Sequence, residues 1–192
     1  MKKLAILFAI ALELAVCGCG NNTPTSTITT TSTGGSWEAQ LIGGSGQASL
    51  LNFVVIFSVN TSGPLDITGF SFFNEGACFD TTTDTTTESG STTLTTNGNL
   101  TVTGPFTLTI KSNTDSNTLL LKGILTGTSN GTTTTTGSLS NGVVVGTWTL
   151  NSTDTDCTGK VSSPPSGNFV MCQGAATCST TPAAAAADIE KL

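Results

Sequence analysis

Between residues 100 and 110 every second position is apolar or glycine: Leu100, Val102, Gly104, Phe106, Leu108 and Ile110. The positions between them are threonine, apart from Pro105. A side-chain period of two belongs to a strand with one buried and one wet face. The pair Gly104-Pro105 predicts a bulge or bend in the middle of that strand. Residues 50–59 are apolar on both faces at their centre, as a central strand would be, and residues 65–73 change face around Gly69. Residues 119–125 and 143–150 complete the clear strands. Weaker candidates are 37–42, 132–139 and 168–172. Three Asn-Gly pairs, at Asn97-Gly98, Asn130-Gly131 and Asn141-Gly142, suit two-residue turns because both residues tolerate positive φ.

Short hairpins in series predict an all-β, antiparallel up-and-down meander. About eight such strands close most easily into a small barrel, which removes exposed edges; a two-sheet sandwich is the alternative. The richness in threonine agrees, since its branched Cβ crowds a helix and suits extended backbone. No amphipathic helix is visible, and residues 80–93 read as a long Thr/Asp/Ser loop. The 192 residues suggest one domain, with enough chain to hide roughly 70% of its unfolded surface.

The N-terminus has a separate logic. Lys2 and Lys3 precede an apolar run over residues 4–16, interrupted only by Glu13. The run is shorter than the roughly 20 residues a bilayer span needs, and matches a signal peptide. It ends in Leu14-Ala15-Val16-Cys17-Gly18-Cys19, which resembles the lipobox of bacterial lipoproteins. In that family the peptidase needs a small residue before the cut. Gly18 before Cys19 satisfies this better than Val16 before Cys17. The resemblance implies a lipid on the Cys19 thiol, an acylated new N-terminus and a place in the bacterial cell envelope, at the outer membrane. Cleavage before Cys17 and an ordinary secretory signal are the alternatives. The expected organisation is a signal peptide over residues 1–18, then the lipidated Cys19 and a Thr/Ser-rich tether to residue 36. A β domain over 37–178 and an Ala-rich tail over 179–192 follow.

Cleavage there removes Lys2, Lys3 and Glu13 from six basic and twelve acidic residues, leaving four against eleven. A surface with so few cations does not neutralise a run of phosphates, so nucleic acid is not an expected partner. His and Arg are absent. That removes the usual general base, imidazole-activated nucleophiles and bidentate anion clamps. Four cysteines remain beside Cys19: Cys78, Cys157, Cys172 and Cys178. An even number in an exported protein reads as two disulfides. Of the three pairings, Cys78–Cys157 with Cys172–Cys178 is preferred. Zinc is disfavoured, with no His and no Cys-x-x-Cys. Carboxylates gather at Asp80, Asp84 and Glu88 and at Asp154 and Asp156; they read as solvated loop residues. Calcium binding or paired-acid hydrolysis are the remoter readings.

Gly35-Ser36-Trp37 opens the first strand and Gly146-Thr147-Trp148 falls in a late one. A Gly-x-Trp near the first strand resembles the lipocalin and avidin-like calycin barrels, where the Trp plugs one end. The basic residue that the family places over that Trp is not found here. An interior cavity lined by Phe53, Phe57, Phe106 and Trp148 would favour a barrel that holds an apolar molecule. The first expectation is nevertheless a non-enzymatic, membrane-anchored lipoprotein of structural or surface-interaction type, with a filled interior and no cofactor. A carrier for an apolar small molecule is second.

Overall fold

A computed structural model describes residues 26–27, 35–44, 51–59, 63–73, 78–79, 85–97, 101–129, 139–161 and 164–174. Its strands are β1 (Ser26–Thr27), β2 (Ser36–Gly43), β3 (Phe53–Val59), β4 (Leu65–Phe72), β5 (Thr86–Thr92) and β6 (Thr95–Asn97). They continue with β7 (Thr101–Ser112), β8 (Thr118–Ser129), β9 (Leu139–Asn151) and β10 (Ser166–Gln173); a short helix, α1 (Thr155–Val161), precedes β10. All pairings are antiparallel. The order runs β6-β7-β8-β9-β10-β2-β3-β4, with β5 also on β7. The first long strand, β2, thus pairs the last, β10. The chain is an eight-stave up-and-down meander curled into a nearly closed barrel, as the alternation of residues predicts.

β5 and β6 form one stave. Thr92 faces Phe106 and Thr95 faces Thr103, so both keep one register on β7. The interruption, Thr93-Leu94, lies opposite Gly104-Pro105. Proline offers no N–H to a ladder, and a Cβ on Gly104 would collide with the Thr93 carbonyl. The bulge or bend expected at Gly104-Pro105 is not found on the other side: the ladder to β8 passes through both residues without a shift. The last join is slight. An isolated bridge between Pro64 and Ser91 and a hydrogen bond from the Thr92 N–H to the Gly63 carbonyl (2.8 Å) connect β4 to β5. Beyond the bridge the two strands diverge.

Four further expectations need correction. The long loop at 80–93 contains β5. Its inward positions are Thr86, Glu88, Gly90 and Thr92, so no apolar period marks it; the strand is templated by the apolar face of β7. Asn141-Gly142 is no hairpin turn but a bulge within β9. Thr126 pairs Val143 and Thr128 pairs Ser140, leaving one extra residue on β9. Asn141 adopts φ 53°, so the tolerance that suits a turn here serves the bulge. α1 was not foreseen; it is too short for a periodic signal and turns Cys157 and Val161, one helical turn apart, into the core. The tether contributes β1, which pairs β6 through Ser26–Thr96 and Thr27–Thr95. By contrast, β4 does change face near Gly69: its register on β3 shifts there.

The interior is built in rows of facing residues. One runs Thr92, Phe106, Gly123, Gly146, Phe169, Leu41, and the next Gly90, Leu108, Leu121, Trp148, Gly167, Gly43. Large residues stand beside glycines, which lets rings extend across a narrow lumen. Trp37 stacks on Phe57 (centroids 4.9 Å), and Phe57 meets Phe106 at 5.9 Å. Trp148 donates its indole N–H to the Ile42 carbonyl at 2.9 Å. The two tryptophans therefore lie at opposite ends of β2. In the first row the Thr92 hydroxyl is buried without a hydrogen-bond partner. Burying an unpaired hydroxyl is unfavourable, and valine keeps the shape. Thr92→Val should stabilise the protein by about 1 kcal/mol, read from the denaturant midpoint; a lower midpoint would contradict this.

Candidate functional site

Where β4 and β5 diverge, the barrel wall opens into a cleft of about 380 Å³. It is lined by Phe70, Ser71 and Phe72 from β4, Phe79 from the following segment, and Thr85, Thr86 and Glu88 from β5. A volume of this size falls within the range that holds small molecules.

The aromatic wall follows from the change of face in β4. Past the register shift, Phe70 and Phe72 point inward, onto Phe53, at 5.1 and 6.1 Å between ring centroids. Phe70 meets Phe72 edge-on at 4.9 Å, and Phe79 stacks on Phe72 at 4.9 Å. Phe79 is held from two sides through its neighbour Cys78. The Cys78–Cys157 disulfide joins it to α1, with Cα atoms 4.6 Å apart. Asn117 donates its side-chain N–H to the Cys78 carbonyl at 2.7 Å.

Opposite stands Glu88, at an inward position of β5 and only partly exposed. The Thr86 hydroxyl donates to its Oε1. Thr85 is fixed in turn by Asn113, whose Nδ2 donates to the threonine hydroxyl at 3.1 Å. Chemically, the cleft offers the partly exposed ring of Phe70, hydroxyls and one carboxylate.

The sequence-predicted residues fall as follows. Cys78 and Cys157 are bonded as expected. Cys172 is also disulfide-bonded; its expected partner Cys178 lies outside the described residues. So do Cys17, Cys19, Asp80, Asp84 and the tail over 179–192. Of the two acidic groups, Glu88 reaches the cleft, whereas Asp154 is exposed ahead of α1, where its carbonyl accepts from the Thr158 N–H at 3.1 Å. Asp156 lies in α1, and its side chain is not among those described. Among the described residues no three of His, Cys, Asp or Glu gather as a metal site would require. Phe53, Phe57, Phe106 and Trp148 are all interior, each at most 2% exposed. The roles of Phe70, Phe72 and Phe79 were not legible from sequence. Adjacent apolar residues such as Phe72-Phe73 do not say which one turns inward.

No protein-family model, no curated protein and no solved structure matches this chain.

Proposed function

We propose that this chain is a lipid-anchored protein of the bacterial cell envelope. Cys19 carries the lipid, and the barrel serves as a structural or surface-interaction module rather than an enzyme or a lumenal carrier. The anchor rests on the sequence: a basic start, a short apolar run and Gly18 before Cys19. One acyl chain holds a protein weakly, whereas two or three give stable attachment. The observation that carries the module reading is the ring contact across the interior, from Trp37 through Phe57 to Phe106. Rings in contact at those positions occupy the space that a lumenal ligand would need. Paired-acid hydrolysis requires two carboxylates flanking one bond, and among the described residues Glu88 is the one carboxylate lining the cleft.

Mass spectrometry of the mature N-terminus should find a lipid-modified Cys19. Cys19→Ser should move the protein from the membrane fraction to the soluble one. Release by Cys17→Ser with retention of Cys19→Ser would place the anchor at the other cysteine. Native mass spectrometry of protein from its own membranes should show no further bound apolar molecule. A stoichiometric apolar molecule would replace the module reading with a carrier.

A further inference from the structure

We propose that the cleft between β4 and β5 binds an organic ammonium ion, with its charge against Glu88 and its apolar body against Phe70, which Phe72 and Phe79 back from the interior. This goes beyond the anchored-module reading and does not depend on it.

Three features converge. The first is shape: the cleft measures about 380 Å³, with the partly exposed ring of Phe70 at its wall and the buried, mutually stacked rings of Phe72 and Phe79 behind it. The second is polarity. Glu88 is the one charged group among the described lining residues, and its hydrogen-bond partner there is a neutral hydroxyl, that of Thr86. With no cation beside it among the described residues, this partly buried carboxylate keeps a demand for positive charge. The third is the combination. Aromatic faces are electron-rich and attract cations, most strongly where water is thinned out. A carboxylate beside ring faces suits an alkylated ammonium, which is a cation with an apolar skin. It disfavours anions, and a purely apolar guest would leave Glu88 desolvated and unpaired.

Strand geometry explains why the site is open. Between the Pro64–Ser91 bridge and the ends of β4 and β5, the two strands are not paired. Their side chains line the gap instead of a ladder closing it. The floor is firm because Phe79 is held by the disulfide and Asn117 described above.

The probe is benzyltrimethylammonium, titrated by calorimetry into the full chain purified in uncharged detergent. Three proteins are compared: the unaltered chain, Glu88→Gln and Asp66→Asn. Asp66 is exposed on β4 outside the cleft lining, so its variant removes the same charge without touching the site. The expected result is saturable binding to the unaltered chain and to Asp66→Asn, and about tenfold weaker binding to Glu88→Gln, the size of one charge-assisted contact. Ring resonances of Phe70, Phe72 and Phe79 should shift during titration of the unaltered chain, a readout that needs no variant. Absence of binding, equal weakening in both variants, undiminished binding to Glu88→Gln, or shifts confined to other residues would each overturn the proposal.

Discussion

Replacing Cys78 and Cys157 together by serine should cost about 4.5 kcal/mol of stability in the chain-entropy treatment of disulfides. The bond closes a loop with a sequence separation of 79 residues, and the entropy removed from the unfolded chain grows with the logarithm of that length. A domain has only about 5–15 kcal/mol in total, so the double variant should lose between about a third and nearly all of its stability. The double variant is preferred to chemical reduction because Cys172 is also disulfide-bonded and reduction would break both bonds. The loss has a local signature too. Cys78 precedes Phe79, and without the bond the Asn117 hydrogen bond and the packing of Phe79 on Phe72 are what hold residues 78–79 to the barrel among the described residues. The stacked contact of Phe79 on Phe72 should therefore loosen before the rest of the core. Denaturant titration gives the global effect, and hydrogen exchange around residues 78–79 and α1 gives the local one. An unchanged midpoint would show that the folded wall holds this segment without the bond.

Trp148→Ala should be comparably damaging, at about 4–5 kcal/mol, since truncating a fully buried aromatic loses its transfer energy and leaves a cavity. Two features make the site unforgiving. Its neighbours across the sheet are Leu121 and Gly167, and a glycine has no side chain with which to fill the space. The lost indole also leaves the Ile42 carbonyl without that donor. Trp148→Phe separates the two effects: most of the volume stays while the hydrogen bond goes, and a loss of about 2 kcal/mol is expected. Equal losses in the two variants would show that the hydrogen bond, not the ring volume, dominates at this position. Both variants should keep the sheet order, because the registers on either side depend on the alternation of β8 and β9 rather than on one side chain.

The barrel was legible where a strand carries its own apolar period. In β7 the sequence Val102, Phe106, Leu108, Ile110 names its buried face without help from any neighbour, and the structure buries all four. The same holds for Leu119, Leu121 and Leu125 in β8. Cys78 with Cys157 was readable as a preferred pair because the four cysteines beyond Cys17 and Cys19 have few ways to combine. Glu88 was singled out among its neighbours, but as a solvated loop carboxylate. Its inward position becomes visible only once residues 86–92 are known to form a strand in register with β7.

The local alternation of apolar and polar residues thus determined the class of fold, because it is a property of a few consecutive residues. Tertiary structure decided what depends on two segments at once. Asn141-Gly142 can supply positive φ to a turn or to a bulge. The choice fell to the bulge because β8 continues alongside it as far as Ser129, and because a Cβ on Gly142 would strike the Trp37 ring. β5 is a strand because β7 presents an unpaired edge, not because its own residues demand it. The cleft arises for the same reason in reverse. β4 and β5 each satisfy one edge elsewhere, on β3 and on β7, and the curvature that lets eight staves nearly close leaves these two joined only at Pro64–Ser91. Phe70, Phe72, Phe79 and Glu88 face one another because of that divergence, which no stretch of sequence encodes alone.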